Sequence, residues 1–240
     1  MWMLSLLFMS IGLSDLARSR ESEPRVASAL IATTVGAAPV VALSVTGGLP
    51  TVWLLPLLAV LVVWQISTSG DLLTEKLALL PVLALAVVVV AALIFPSSTP
   101  PPPAWFTDWY RDLPYWFAVT VSPERAALLI GYSLFLVNSA NQVVVAVLTT
   151  AGSSVRHSVR SIRGGRIIGP IERLFILWMA VAGQALAIAV IVAAKGIVRY
   201  PEISEGSRSG KRRDRGALAE YVLIGSLVSW SLAFLMVPLY

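Results

Sequence analysis

Apolar residues in this chain come in long, nearly unbroken runs, without the polar face that a half-buried soluble helix shows every third or fourth residue. The first run spans Trp2 to Leu13. It stops at Asp15 and the charged stretch Arg18, Arg20, Glu21, Glu23, Arg25. A second runs from Val26 to Val45 and ends at Gly47-Gly48, a third from Val52 to Ile66, and a fourth from Leu77 to Phe95. A helix rises 1.5 Å per residue, so about 20 residues cross a hydrocarbon core of roughly 30 Å. Segments two and four meet that length. Segments one and three need tilt or local thinning.

Four prolines, Pro100 to Pro103, then break the pattern and favour a stiff extended stretch. AWFTDWYRDLPYWF follows, with Trp105, Trp109, Tyr110, Tyr115 and Trp116 among its aromatics. Trp and Tyr concentrate where one ring edge is wet and the other lies in lipid. This stretch therefore reads as an interfacial anchor lying on the membrane surface, ahead of an aromatic ligand platform.

Segment five runs from Pro123 to Thr150, opened by Pro123-Glu124 in the manner of a helix first turn. A basic loop carries Arg156, His157, Arg160, Arg163 and Arg166. Segment six runs from Gly169 to Arg199 and segment seven from Ala217 to Leu239. The connection from Pro201 to Gly216, rich in Ser, Gly and charge, reads as mobile.

Composition sharpens this. Of the 240 residues 57% are hydrophobic and only 13% charged, about half the roughly 25% of a soluble domain. The mean hydropathy is +0.82. A soluble enzyme, a nucleic-acid reader and a disordered tail are all excluded. The net charge is +5, from 18 Lys and Arg against 13 Asp and Glu. These cations sit in loops beside apolar segments, which points to cytoplasmic loops and anionic headgroups. There is no Cys and a single His, His157, so disulfides, thiolate sites and multi-His metal sites within the chain are excluded, and no cofactor is implied. The N-terminus lacks a basic n-region and a small-residue cleavage site, and reads as a retained helix.

The positive-inside rule orients the segments. With the Arg18–Arg25 loop in the cytoplasm, Ser69–Lys76 and Arg156–Arg166 are also inside. Gly47–Pro50 and the Pro/Trp stretch are outside. Segment six breaks the pattern. If it spans once, the basic residues from Lys195 to Arg215 lie outside; if it folds back at Gly183-Gln184, they lie inside. Propensity favours a single span, since one Gly costs a helix only about 1 kcal/mol.

The chief chemical feature is a polar stripe on segment six. Arg173, Gln184 and Lys195 recur every 11 residues, close to three turns, and so share one face of a continuous helix. Glu172 adjoins the stripe and Arg199 extends it. Such residues bind an anionic headgroup or line a solute path, or else bond to neighbouring helices while the cations snorkel. The structural reading outweighs the functional one. On segment seven, Glu220 reads either as a solvated first-turn acid or as a partner of Lys195 or Arg199, and Gly225 and Ser229 form a small-residue pair opposite Ala185, Ala189 and Ala193. Asp15 reads as a cap or an Arg partner, and Asn138, Asn141 and Gln142 as interhelical glue. No phosphate loop and no Ser-His-Asp set can be assembled.

The residues from Gly164 onward resemble the C-terminal membrane region of an uncharacterised bacterial integral-membrane family. Its members read GR-x-IG-x-LER, then GQ or GH, then a block ending AAKSI-x-RF, then EY-x-LIGTL-x-S. Here GRIIGPIER spans Gly165 to Arg173, followed by Gly183-Gln184, AIAVIVAAKGIVRY from Ala187 to Tyr200, and EYVLIGSLVS from Glu220 to Ser229. The resemblance implies a helical membrane fold and no activity. The chain departs from it at Ala189 (usually Gly), at Gly196 (usually Ser), in an apparent insertion over 204–216, and in having no His before His157.

The expectation is an all-α transmembrane bundle of six or seven membrane segments plus one interfacial aromatic segment. It forms a single membrane domain: N-terminal helices over 1–96, the Pro/Trp loop over 97–122, and C-terminal helices over 123–240. The expected location is the bacterial inner membrane. The expected role is non-enzymatic, with Glu172, Arg173, Gln184, Lys195, Arg199 and Glu220 engaging anionic lipid, a membrane-protein partner or a second copy. The alternative is a transporter or channel lined by Arg173, Gln184 and Lys195.

Overall fold

The computed structural model describes residues 1–18, 25–69, 78–95, 100–150, 165–209, 212–235 and 237; for 25–26, 165–167, 198–209 and 212–222 it describes the backbone only. Among the described residues the fold is all-helical, with eleven helices and no strand. Two helices contain stretches long and apolar enough to cross a membrane, Ala27–Val45 and Thr51–Thr68. A third arises if Pro123–Val137 and Ser139–Thr150 act as one broken span. The remaining apolar helices are shorter, among them Trp2–Ala17 and Leu80–Ile94. The chain divides into two compact units, Met1–Ser139 and Ala140–Tyr240.

The first unit is built around α1 (Trp2–Ala17), which is buried on every side. That explains why its sequence is apolar all round: a helix wrapped by others has no face to leave polar. It packs against α2 (Arg25–Val45), α3 (Thr51–Ser69), α4 (Leu80–Ile94) and, beyond the short helices α5 (Ala104–Arg111) and α6 (Trp116–Thr120), α7 (Pro123–Val137). Helices α1 and α7 touch backbone to backbone. A Cβ on Gly12 would lie 2.6 Å from the Leu134 carbonyl carbon, and one on Gly131 would strike the Ser5 carbonyl oxygen. Beside this crossing, Phe8 meets Tyr132 and Phe135 edge-on at 5.0 and 5.2 Å. The aromatic stretch forms α5 and α6, with Trp105, Trp109 and Trp116 exposed while Tyr110 is buried. Phe106 anchors α5 by packing on Trp2.

Helix α2 ends at Gly47, whose φ of +73° is left-handed. The Gly48 N–H bonds back to the Leu43 carbonyl and the Gly47 N–H to the Ser44 carbonyl, a Schellman stop. In the second unit, α8 (Ser139–Thr150, its first residue counted with the first unit) precedes α9 (Gly165–Val181), α10 (Ala185–Ser209) and α11 (Arg212–Phe234). Helices α9, α10 and α11 pack on one another.

Several expectations change here. Segment five is two helices, interrupted at Asn138. Segment six is also two helices, parted by a second Schellman stop at Gly183, φ +71°. There the Gln184 N–H reaches the Met179 carbonyl and the Gly183 N–H the Ala180 carbonyl. The stretch taken as a mobile connection is largely helix, since α10 runs on to Ser209 and α11 starts at Arg212.

Candidate functional site

The second unit holds a cluster that contains two of the predicted site residues, Glu172 and Lys195. Glu172 lies about two turns into α9, Lys195 midway along α10, and Trp230 near the end of α11. The Glu172 Oε2 sits 2.5 Å from Lys195 Nζ. The indole N–H of Trp230 donates to Glu172 Oε1 at 2.7 Å. The Lys195 ammonium lies 5.1 Å from the centre of the Trp230 ring, within cation–π range. Three helices thus meet at one closed triangle of anion, cation and indole. Both carboxylate oxygens are engaged, and the Glu172 side chain is only 6% exposed.

This triangle fixes the course of the chain. In one continuous helix Glu172 and Lys195 would stand about 35 Å apart. Their contact requires α9 and α10 to form a hairpin that turns at Ala182–Gln184. The expected continuous stripe is therefore corrected. Its spacing of 11 residues measures two equal arms on either side of Gln184. Gln184 itself is exposed at the turn, away from the ion pair.

Arg173, next to Glu172, is 2% exposed, and one guanidinium nitrogen donates to Ser229 Oγ of α11 at 3.4 Å. It does not snorkel outward, as a stripe end would. Ser229 is therefore a contact to α9. Gly225 faces α8, where an added Cβ would meet Leu148 at 3.5 Å and Val144 at 3.9 Å. Ala185, Ala189 and Ala193, expected to oppose these two residues, are exposed. The partner of Lys195 is Glu172; the side chains of Arg199 and Glu220 lie outside the described residues, as do those of Arg166 and the stretch with Arg156, His157, Arg160 and Arg163.

The first unit carries a second polar cluster. Asp15, 1% exposed, accepts the Trp64 indole N–H on Oδ2 at 3.0 Å and faces Arg18 across 3.2 Å on Oδ1. Arg18 also donates to the Gln65 side-chain oxygen, to Thr68 Oγ1 at 3.0 Å and to the Thr68 carbonyl at 3.2 Å. Gln65 in turn donates to Ser14 Oγ, and Asn138 to the Asp15 carbonyl. The cluster ties the ends of α1, α3 and α7 together. It occupies the free carbonyls that a helix end leaves bare. Asp15 thus pairs with an Arg, and Asn138 acts as glue. Asn141 is exposed. Gln65, Trp64 and Thr68 are the members that sequence reasoning missed. The available signal was a Trp-Gln pair at the end of an otherwise apolar segment.

Among the described residues no group of three or more His, Cys, Asp or Glu is placed to hold a metal ion. Both clusters join helices, with a buried carboxylate held by an opposite charge and by an indole donor. No family model matches the chain, and comparison with curated proteins and with solved structures gives no match either.

Proposed function

We propose that the protein is a non-enzymatic, multi-pass component of a bacterial inner membrane whose basic helix ends engage anionic lipid headgroups. The observation that carries this reading is the Glu172–Lys195–Trp230 triangle. It engages Glu172 and Lys195 in packing, and on this reading the basic residues from Arg199 to Arg215 meet the membrane surface. Helix α10 is apolar from Ala185 to Ile197 and continues to Ser209. Arg199, Arg208 and, beyond the helix, Lys211, Arg212, Arg213 and Arg215 follow that apolar part. A basic segment just past an apolar one meets the headgroup layer, where each cation contributes about 1 kcal/mol of attraction to anionic lipid. Folding back at Gly183 supports the same orientation, because it returns these cations to the side of Arg156–Arg166, in keeping with the positive-inside rule. The six or seven segments of the sequence reading belong to this proposal, with α1 and α4 crossing as short spans. So does the resemblance of Gly165–Ser229 to the uncharacterised membrane family.

The test is lipid retention. Protein extracted from membranes is analysed by native mass spectrometry. The expected result is retained phosphatidylglycerol that is lost when Arg208, Lys211, Arg212, Arg213 and Arg215 are replaced by Gln. Equal retention of zwitterionic and anionic lipid by both proteins overturns the reading. Retention of a protein instead, lost in the same variant, assigns the basic ends to a partner.

The hairpin favours a second reading, transport, since broken helices accompany solute paths in transporters. It predicts solute flux from liposomes that Gln184→Leu abolishes. Closure of the ion pair by Trp230, with Gln184 far from it, favours the packing role.

A further inference from the structure

Helices α3 and α4 of the first unit stand apart along their seam. One cavity of about 390 Å³ lies between their ends at Trp53 and Phe95, backed by Met3, Leu4 and Leu7 of α1. A second, of about 210 Å³, continues towards Trp64 and Pro81. Val60 and Val88 line both, so the two form one slot along the seam. The slot exists because Ala59, Ala84, Ala91 and Ala92 stand where longer side chains would close it. Its lining is hydrocarbon apart from two indoles, and the Trp64 N–H is already committed to Asp15.

Water gains nothing there, because a stable buried water needs two to four polar partners. Left empty, the lining would lose its dispersion contacts on one side. Helix α3 contains one of the two stretches long and apolar enough to span a membrane, so the medium around this seam is acyl chain. At about 390 Å³ the larger cavity lies within the range of about 300–1,000 Å³ that holds one small ligand.

We propose that the α3–α4 slot is a binding site for one hydrocarbon chain of a membrane phospholipid, held as a bound component. The proposal is independent of the headgroup reading, which concerns the other unit.

The test uses the full-length protein in vesicles of phosphatidylethanolamine and phosphatidylglycerol, doped with a phosphatidylcholine bearing a diazirine at the end of one acyl chain. After photolysis, adducts are mapped by peptide mass spectrometry, and retained lipid is counted by native mass spectrometry. The expected result is adducts at Val60, Val88 and Ala91 that survive detergent exchange, with one retained phospholipid. Both should be lost in Ala91→Phe and Val88→Trp, while labelling of the exposed Leu30 face is unchanged. Should a filling variant fail to fold, as judged by its helical circular dichroism, Leu57→Ala serves instead: it enlarges the slot and should raise slot labelling. Slot adducts that follow those at Leu30 in every variant overturn the proposal, since the seam is then only in contact with bulk lipid. Disulfide-linked dimers from Ala91→Cys also overturn it, by placing a second copy in the slot.

Discussion

Removing Lys195 leaves Glu172 buried with the Trp230 indole as its described remaining donor. Breaking a buried ion pair from one side costs about 3–5 kcal/mol, because the surviving charge stays desolvated. The Lys195 side chain keeps 14% of its exposure, so some water reaches the pair, and Lys195→Met is expected to cost about 2–4 kcal/mol. Glu172→Gln should cost a similar amount. It strands the ammonium but keeps an acceptor for the Trp230 N–H. The double variant removes both charges and keeps that acceptor. Replacing a whole buried pair is often close to neutral, so the double variant should lie within about 1 kcal/mol of the parent. The coupling energy is then about 3 kcal/mol or more in magnitude. The assay is equilibrium unfolding in bicelles followed by Trp fluorescence and by helical circular dichroism. Additive losses in the double variant would refute the reasoning, since they would mean that the two side chains do not share one interaction.

Arg18→Gln should destabilise the first unit by about 2–4 kcal/mol, because it leaves Asp15 buried beside a neutral partner; the same unfolding assay checks this. Gly131→Ala should cost about 1–3 kcal/mol by forcing α1 and α7 apart at the Ser5 carbonyl. Gly169→Ala meets nothing within 4 Å and should be neutral or add up to about 1 kcal/mol in the same measurement. Gly183→Ala has open space but a left-handed backbone, so a loss of about 1–2 kcal/mol is expected, whereas Gln184→Leu should leave stability unchanged.

The helical class and several element ends were legible because they rest on local physics. Apolar runs had to become helices, Gly47-Gly48 ended one of them, and Pro123-Glu124 opened another. What the sequence hid lies in long-range pairing. A repeat of 11 residues fits one helical face, and it fits two equal arms of a hairpin just as well. The difference between them is the Glu172–Lys195 contact, which no local preference encodes. Gly183 weakens a continuous helix by about 1 kcal/mol, and the ion pair and indole bond that form on folding back add to that bias. The interruption at Asn138 is similar: neither Gly nor Pro marks it, and its side chain finds the end of α1 across the fold. The stretch after Pro201 misled in the other direction. Its Ser and Gly residues weaken helix without forbidding it. Trp64 and Gln65 looked like the tail of an apolar run, and their role appears only when α3 lies beside Asp15.

The fold-back at Gly183 is the centre of this account, and the chain offers a clean test because it has no Cys. Single cysteines placed at Ser158 and at Ser207 flank the hairpin. Each is exposed to a membrane-impermeant maleimide in intact cells and again after the cells are opened. A hairpin puts both positions on one side, the cytoplasmic side in the proposed orientation, so neither should label until the cells are opened. Labelling at Ser207 alone in intact cells would mean that the segment crosses once, and would contradict the account.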